Sequence, residues 1–90
     1  MSRYTKKIQS GETIVWGFDR PLSEYYLQLY DKEDKLNFSI SNYYTIEPHP
    51  KFPQKIKWST GELLELIEKE NYKEHIPKEH LQYMIADLPF

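Results

Sequence analysis

The order of patterns along the chain predicts an α+β fold: a small antiparallel sheet of about three strands, followed by two helices packed on one sheet face. Three observations carry that expectation. Residues 24–30 and 35–41 both alternate apolar and polar side chains around the polar bend Asp31-Lys32-Glu33-Asp34, the signature of a β-hairpin. Ser59-Thr60-Gly61-Glu62 has the spacing of a capping box ahead of an apolar run. Pro77 precedes Leu81, Met84, Ile85 and Leu88 at i, i+3, i+4 and i+7, an amphipathic helical stripe. Strands first and helices second is the arrangement of a sheet covered on one side.

Residues 1–11 show no sustained period and read as a flexible lead-in, with 12–90 as a single α+β domain. The first strand is expected over 12–18, where Ile14, Trp16 and Phe18 share one face. Pro21 has no N–H to give to a ladder, so Asp19-Arg20-Pro21 reads as a turn or a kinked connection. The hairpin 24–30/35–41 follows. Pairing Tyr30 with Lys35 sets Leu29 against Leu36, Leu27 against Phe38 and Tyr25 against Ile40. All the apolar pairs then lie on one side, and a slip of one residue would break the match. Pro48, Pro50 and Pro53 favour extended, turn-rich chain over 42–58, with Ile56 and Trp58 as candidates for a short extra strand. The first helix is expected from about 60 to 70. Trp58 and Leu63 stand at the spacing of a hydrophobic staple, and Asn71 is suited to a left-handed stop. The second helix is expected over 77–88, with Pro77 in its first turn and Pro89 beyond its end.

At 90 residues the chain is near the size where one core becomes marginal, and it has no cysteine to add a disulfide or a thiolate metal site. Aromatic residues make up 16% of it, including eight tyrosines. Such rings bury much area per residue and also favour interfaces. A net charge of −2 suits an ordinary water-soluble protein. No apolar run approaches the roughly twenty residues of a membrane helix, and the basic N-terminus leads into no signal-like segment. The expectation is a cytoplasmic protein without a membrane role.

The chemistry visible in the sequence is sparse. His75, Glu79 and His80 miss the H-x-x-E-H zinc spacing by one residue, and Pro77 separates the two imidazoles, so they read as surface residues. His49, between prolines, reads as a loop residue rather than a ligand. Asp19 and Arg20 fit a turn as well as they fit an acid and an anion clamp. No nucleophile elbow, phosphate loop or dinucleotide fingerprint occurs. No cofactor, metal or catalytic constellation is therefore expected, and the chain reads as a non-enzyme.

Two surfaces remain as binding candidates. Tyr26, Gln28, Tyr30, Lys35 and Asn37 fall on the polar side of the predicted hairpin, a mixture of rings and adaptable polar groups that suits a protein partner. Lys51, Phe52, Lys55 and Lys57 form a basic-aromatic stretch within 49–58, the alternative candidate for single-stranded nucleic acid. The acidity of the whole chain argues against the second.

The run Trp16-Gly17-Phe18-Asp19-Arg20-Pro21-Leu22 resembles the opening of short uncharacterised bacterial proteins. In these an aromatic-Gly-x-Asp-Arg-Pro-Leu segment leads into an aromatic-rich strand. The resemblance implies a bacterial or mobile-element origin and no particular activity. Together with small size and acidity, it raises a narrower alternative, an inhibitor of a nuclease or defence complex.

Overall fold

The computed structural model describes residues 2–43 and 45–90. Met1, at the head of the expected lead-in, and Tyr44, inside the proline-rich stretch, lie outside them. The chain forms an antiparallel sheet with strands in sequence order: β1 (Tyr4–Lys7), β2 (Thr13–Asp19), β3 (Glu24–Tyr30) and β4 (Leu36–Ser41). Helices α1 (Thr60–Lys69) and α2 (Lys78–Ile85) follow, with a 3-10 turn at Tyr72–Glu74 between them. The architecture is α+β, as the sequence predicts.

The lead-in is the first correction. Residues 4–7 are not a flexible lead-in but a strand, pairing Tyr4 with Trp16 and Lys7 with Thr13. A tight turn joins them: the Gly11 N–H donates to the Ile8 carbonyl, and Gly11 takes a φ of +91° that glycine adopts without strain. All four β1 side chains are exposed, so no apolar alternation announces the strand. Its ladder to β2 holds it instead. Strand β2 is therefore interior, with β1 on one side and β3 on the other.

The hairpin is present with a different register. Leu27 pairs with Ile40 and Leu29 with Phe38, two residues away from the expected match. A shift of two keeps each side chain on its face, so the apolar set still points inward. The expected four-residue connection has become 31–35, closed by the Asp31 N–H donating to the Lys35 carbonyl. The Asp31 carboxylate accepts from the N–H groups of Glu33 and Lys35 at 2.8 and 2.9 Å. Asp34 completes the turn with a φ of +63°. This local side-chain organisation outcompetes the shorter loop. The register also breaks between Leu29 and Tyr30, since Tyr30 pairs with Leu36 while Leu29 pairs with Phe38. Asn37 is thus the extra residue of a bulge. Leu36, expected to face Leu29 in the core, is exposed.

At the far end of the hairpin Asn42 takes over from the ladder. Its Oδ1 accepts the Tyr25 N–H at 2.8 Å, and its Nδ2 donates to the Trp58 carbonyl at 3.0 Å. Residues 56–58 do not form the extra strand; single bonds from Thr45 to Ile56 and from Trp58 to Ser41 hold them. Glu47 instead makes an isolated bridge to Ser39, covering part of the β4 edge.

Both helices begin and end for identifiable reasons. The capping box is complete: Ser59 Oγ accepts from the Glu62 N–H at 3.1 Å, and Glu62 Oε1 accepts from the Ser59 N–H at 3.0 Å. Trp58 and Leu63 are both buried, as the staple spacing requires. Helix α1 stops at Asn71, whose φ of +63° is the expected left-handed one. Pro77 is the residue before α2 rather than its first turn, and α2 ends at Ile85 instead of 88. There the Leu88 N–H bonds the Tyr83 carbonyl and the Asp87 N–H bonds the Met84 carbonyl, with Asp87 at φ +58°. That is a Schellman stop with aspartate in the place glycine usually takes.

Ile14, Trp16, Phe18, Tyr25, Leu27, Leu29, Phe38 and Ile40 fill one sheet face and pack on Leu63, Leu66, Ile67, Ile76 and Met84. The stripe expected to dock α2 divides. Met84 is buried and Leu81 partly so, whereas Ile85 and Leu88 are exposed. Among the described residues no helix is long and apolar enough to cross a membrane.

Candidate functional site

With both helices on the inner face, the outer face of the sheet carries the alternate residues of each strand. Its centre is built around Gly17. A Cβ there would run into the Ser2 carbonyl and the Tyr26 phenol, so glycine is required for the ring of Tyr26 to lie across β2. The Tyr26 hydroxyl then donates to the Ser2 carbonyl at 2.5 Å. Ser2 is fastened again by its N–H, which donates to the Phe18 carbonyl at 3.0 Å, and by its Oγ, which accepts the Phe18 N–H at 2.8 Å. Burial pushes the Tyr26 phenol above its ordinary pKa of 10, against the opposing pull of Arg3. The ring is half-buried and structural, not a free-standing contact.

Gln28, two residues along, is the hub of the polar network. Its Oε1 accepts from Arg3 Nη1 and from the Tyr30 hydroxyl, each at 3.4 Å, and its Nε2 donates to Ser39 Oγ at 3.1 Å. Gln28 lines an open hollow of about 320 Å³ whose walls include Arg3, Tyr26, Ser39 and Ile46. Asp19 and Glu24 close one end as cross-strand partners. Desolvation raises the Glu24 carboxyl above its ordinary 4.5, and the Asp19 charge adds to the effect. Glu24 Oε2 is buried with no hydrogen-bond partner among the described residues.

The rim is apolar. Ile46, on the wall of the hollow, is 70% exposed. Tyr43 and Ile56 nearby in the same connection are exposed as well, and Ile56 is brought up by the bond from the Thr45 N–H to its carbonyl. No periodic signal announces these residues, because they sit in a turn-rich segment that the bridge from Ser39 to Glu47 folds back along β4.

The expected contact set therefore divides. Tyr26, Gln28 and Tyr30 share the outer face with Arg3. Lys35 lies in the hairpin loop. The bulge turns Asn37 away, into a separate hollow with Leu29, Phe38, His49 and Tyr72. Arg3 was missed because it directly precedes β1, a strand that was itself missed.

The basic-aromatic stretch is drawn into the fold. Lys51 pairs with Glu70 at 2.6 Å, and Lys55 pairs with Glu62 and lies over the Trp58 ring. Phe52 packs edge-on against Trp58 with ring centres 5.8 Å apart. Lys57 belongs to none of the ion pairs found among the described residues. Two of the three cations thus already face carboxylates.

His49 is a core residue, 4% exposed, with ring contacts to Phe38, Phe52 and Trp58. Its Nδ1 accepts the Lys51 N–H at 3.1 Å, and burial holds its pKa below 6.5. His75 caps the 3-10 turn, while His80 lies in α2 with its Nδ1 bonded to the Trp16 indole N–H. No group of three or more His, Asp or Glu side chains placed to hold a metal occurs among the described residues. Comparison with family models, with curated proteins and with solved structures finds no match.

Proposed function

We propose that this is a protein-interaction module that binds a protein partner through the outer face of its sheet. The observation that carries the reading is the outer face away from both helices, where Val15, Ser39 and Ser41 are buried but a polar hollow organised by Gln28 stays open, with the exposed Ile46 on its wall. An adaptable polar centre beside exposed apolar side chains is the composition of a protein contact. The sheet edges are poorer candidates. The β1 edge is short and carries Lys6 and Lys7, a usual guard against edge pairing, and the β4 edge is partly occupied by the bridge to Glu47.

The anchors of this reading are Ile46, Tyr30 and Gln28, with Arg3 as the charged group of the contact. Tyr26 supports them by holding Ser2 in place. The test is affinity capture of partners from the native cell with the wild-type chain, Ile46→Asp and Tyr30→Ala, all checked for folding by circular dichroism. The expected outcome is a partner recovered by the wild type and lost with both variants. Equal recovery by all three would remove the outer face as the contact.

A further inference from the structure

We propose that His80 is a proton-operated latch that fastens the edge strand β1 and the segment 88–90 to the core, releasing both on protonation while the rest of the sheet stays folded. The inference rests on the inner side of the molecule and is independent of the outer-face reading.

Trp16 Nε1 lies 2.9 Å from His80 Nδ1. An indole N–H can only donate, so Nδ1 must offer its lone pair and the imidazole must be neutral, with its proton on Nε2. An imidazolium carries N–H on both nitrogens. Protonating His80 therefore sets two donors against each other, and the ring has to move.

What moves with it follows from the packing. The His80 ring stacks on Phe90 with centres 4.6 Å apart and planes 9° apart, and it meets Tyr4 at 4.5 Å. Tyr4 also contacts Trp16 and Phe90. Tyr4 is the β1 ring in this cluster, one edge of it exposed like the other side chains of that strand. The segment after α2 is also tied by the Leu88 N–H donating to the Tyr83 carbonyl, by the Tyr25 hydroxyl donating to the Leu88 carbonyl at 2.7 Å, and by Phe90 stacking on the Tyr25 and Tyr83 rings. His80 thus stands where β1, β2, α2 and the segment 88–90 meet.

The titratable groups against it are few. Glu79, its neighbour on α2, favours the imidazolium; desolvation opposes it and prevails, so His80 titrates below its ordinary 6.5. From β1 it faces the phenol of Tyr4, from β2 the neutral indole of Trp16, and from the segment 88–90 the ring of Phe90. Because the released imidazole regains its ordinary pKa, the latch is at full strength above about 6.5 and weakens as the pH falls through the lower, folded value.

The test is an NMR titration of the whole chain from about pH 7.5 to about pH 4.5, following His80, the Trp16 indole N–H and amide exchange. The expected result is that the indole proton shifts with the His80 midpoint, below 6.5. Over the same range the amides of β1 lose exchange protection by about tenfold or more, while those of β3 and β4 keep theirs. His80→Gln, whose side-chain carbonyl can accept the indole N–H without titrating, should keep β1 protected in acid. An indole proton that ignores the His80 titration overturns the proposal. So does loss of protection in all strands at one midpoint, or equal loss in His80→Gln. Should that variant fail to fold, the wild-type titration decides alone.

Discussion

Tyr25 and Tyr26 are adjacent in the chain, identical in chemistry, and opposite in surroundings. Tyr25 points inward against Phe18 and Phe90, and its hydroxyl reaches the Leu88 carbonyl. Tyr26 points outward over Gly17, and its hydroxyl reaches the Ser2 carbonyl. One phenol fastens the segment after α2, the other the segment before β1. The inner ring is sealed by Phe18, Phe90 and the end of α2, while the outer ring has only the sheet beneath it. A polar outer face is thus not automatically a free one: part of it is committed to holding the sheet together, and only the remainder is available to a partner.

The largest expected difference between the two faces comes from neighbouring positions of β3. Leu27 is 1% exposed and packs in the core. Leu27→Ala should cost about 2–5 kcal/mol through lost burial and an unfilled cavity. Gln28→Ala, on the outer face, removes partly solvated polar contacts and should cost under about 1 kcal/mol. Urea denaturation of both variants measures the gap. Comparable losses would mean that the outer face is a second core rather than a surface.

Gly17→Ala sharpens the distinction within the outer face. The added methyl displaces the Tyr26 ring and the Ser2 carbonyl, an overpacking expected to cost about 1–3 kcal/mol. Hydrogen exchange should show the amides at Ser2 and Phe18 loosened most. A Gly17→Ala protein as stable as the wild type would show that Tyr26 does not need this position and is free for other contacts.

Much of this was legible in the residues, and what was not has physical causes. Apolar alternation in β2, β3 and β4 revealed the sheet, and local chemistry at Ser59, Glu62 and Asn71 revealed the limits of α1. These signals are contained in the segments that use them. Strand β1 has no buried side chain, so only its partner specifies it. The hairpin register depended on the Asp31 carboxylate and on the bulge at Asn37, two choices that differ little in local energy yet moved the pairing by two residues. The candidate site suffered from both. Gln28 and Tyr30 were placed correctly by strand period, Asn37 was rotated off the face by the bulge, and Arg3 and Ile46 were hidden in segments with no period to read.

Acid should act on the two faces with opposite sign. His49 and His80, on the inner side, both titrate below 6.5 when folded. The unfolded chain therefore binds more protons than the folded one just below that value, and stability falls as the pH drops under about 6.5. Glu24, on the outer face, has a folded pKa above 4.5. Here the folded chain binds the extra proton, so its contribution improves as the pH falls through that raised value towards 4.5. Melting temperatures from about pH 7.5 to about pH 4.5 should decline more gently in His49→Gln than in the wild type, and more steeply at the acid end in Glu24→Gln. Slopes unchanged by either substitution would show that these groups do not set the pH response.

The smallest expected effect separates the helical stripe read from sequence from the face α2 actually buries. Met84 and Ile85 are consecutive members of that stripe, yet Met84 is in the core and Ile85 is 72% exposed. Two causes make the division: Ile85 is one helical step, about 100°, away from Met84, and Leu88 lies past the Schellman stop at Asp87, outside α2. Ile85→Gln should therefore change stability by no more than about 0.5 kcal/mol, the usual range for a surface substitution. Met84→Ala should cost about 2–5 kcal/mol. If Ile85→Gln proved as costly as Met84→Ala, α2 would have to bury both residues in solution. That requires either a rotated helix or a second molecule on its outer side, and sedimentation of the wild type would tell the two apart.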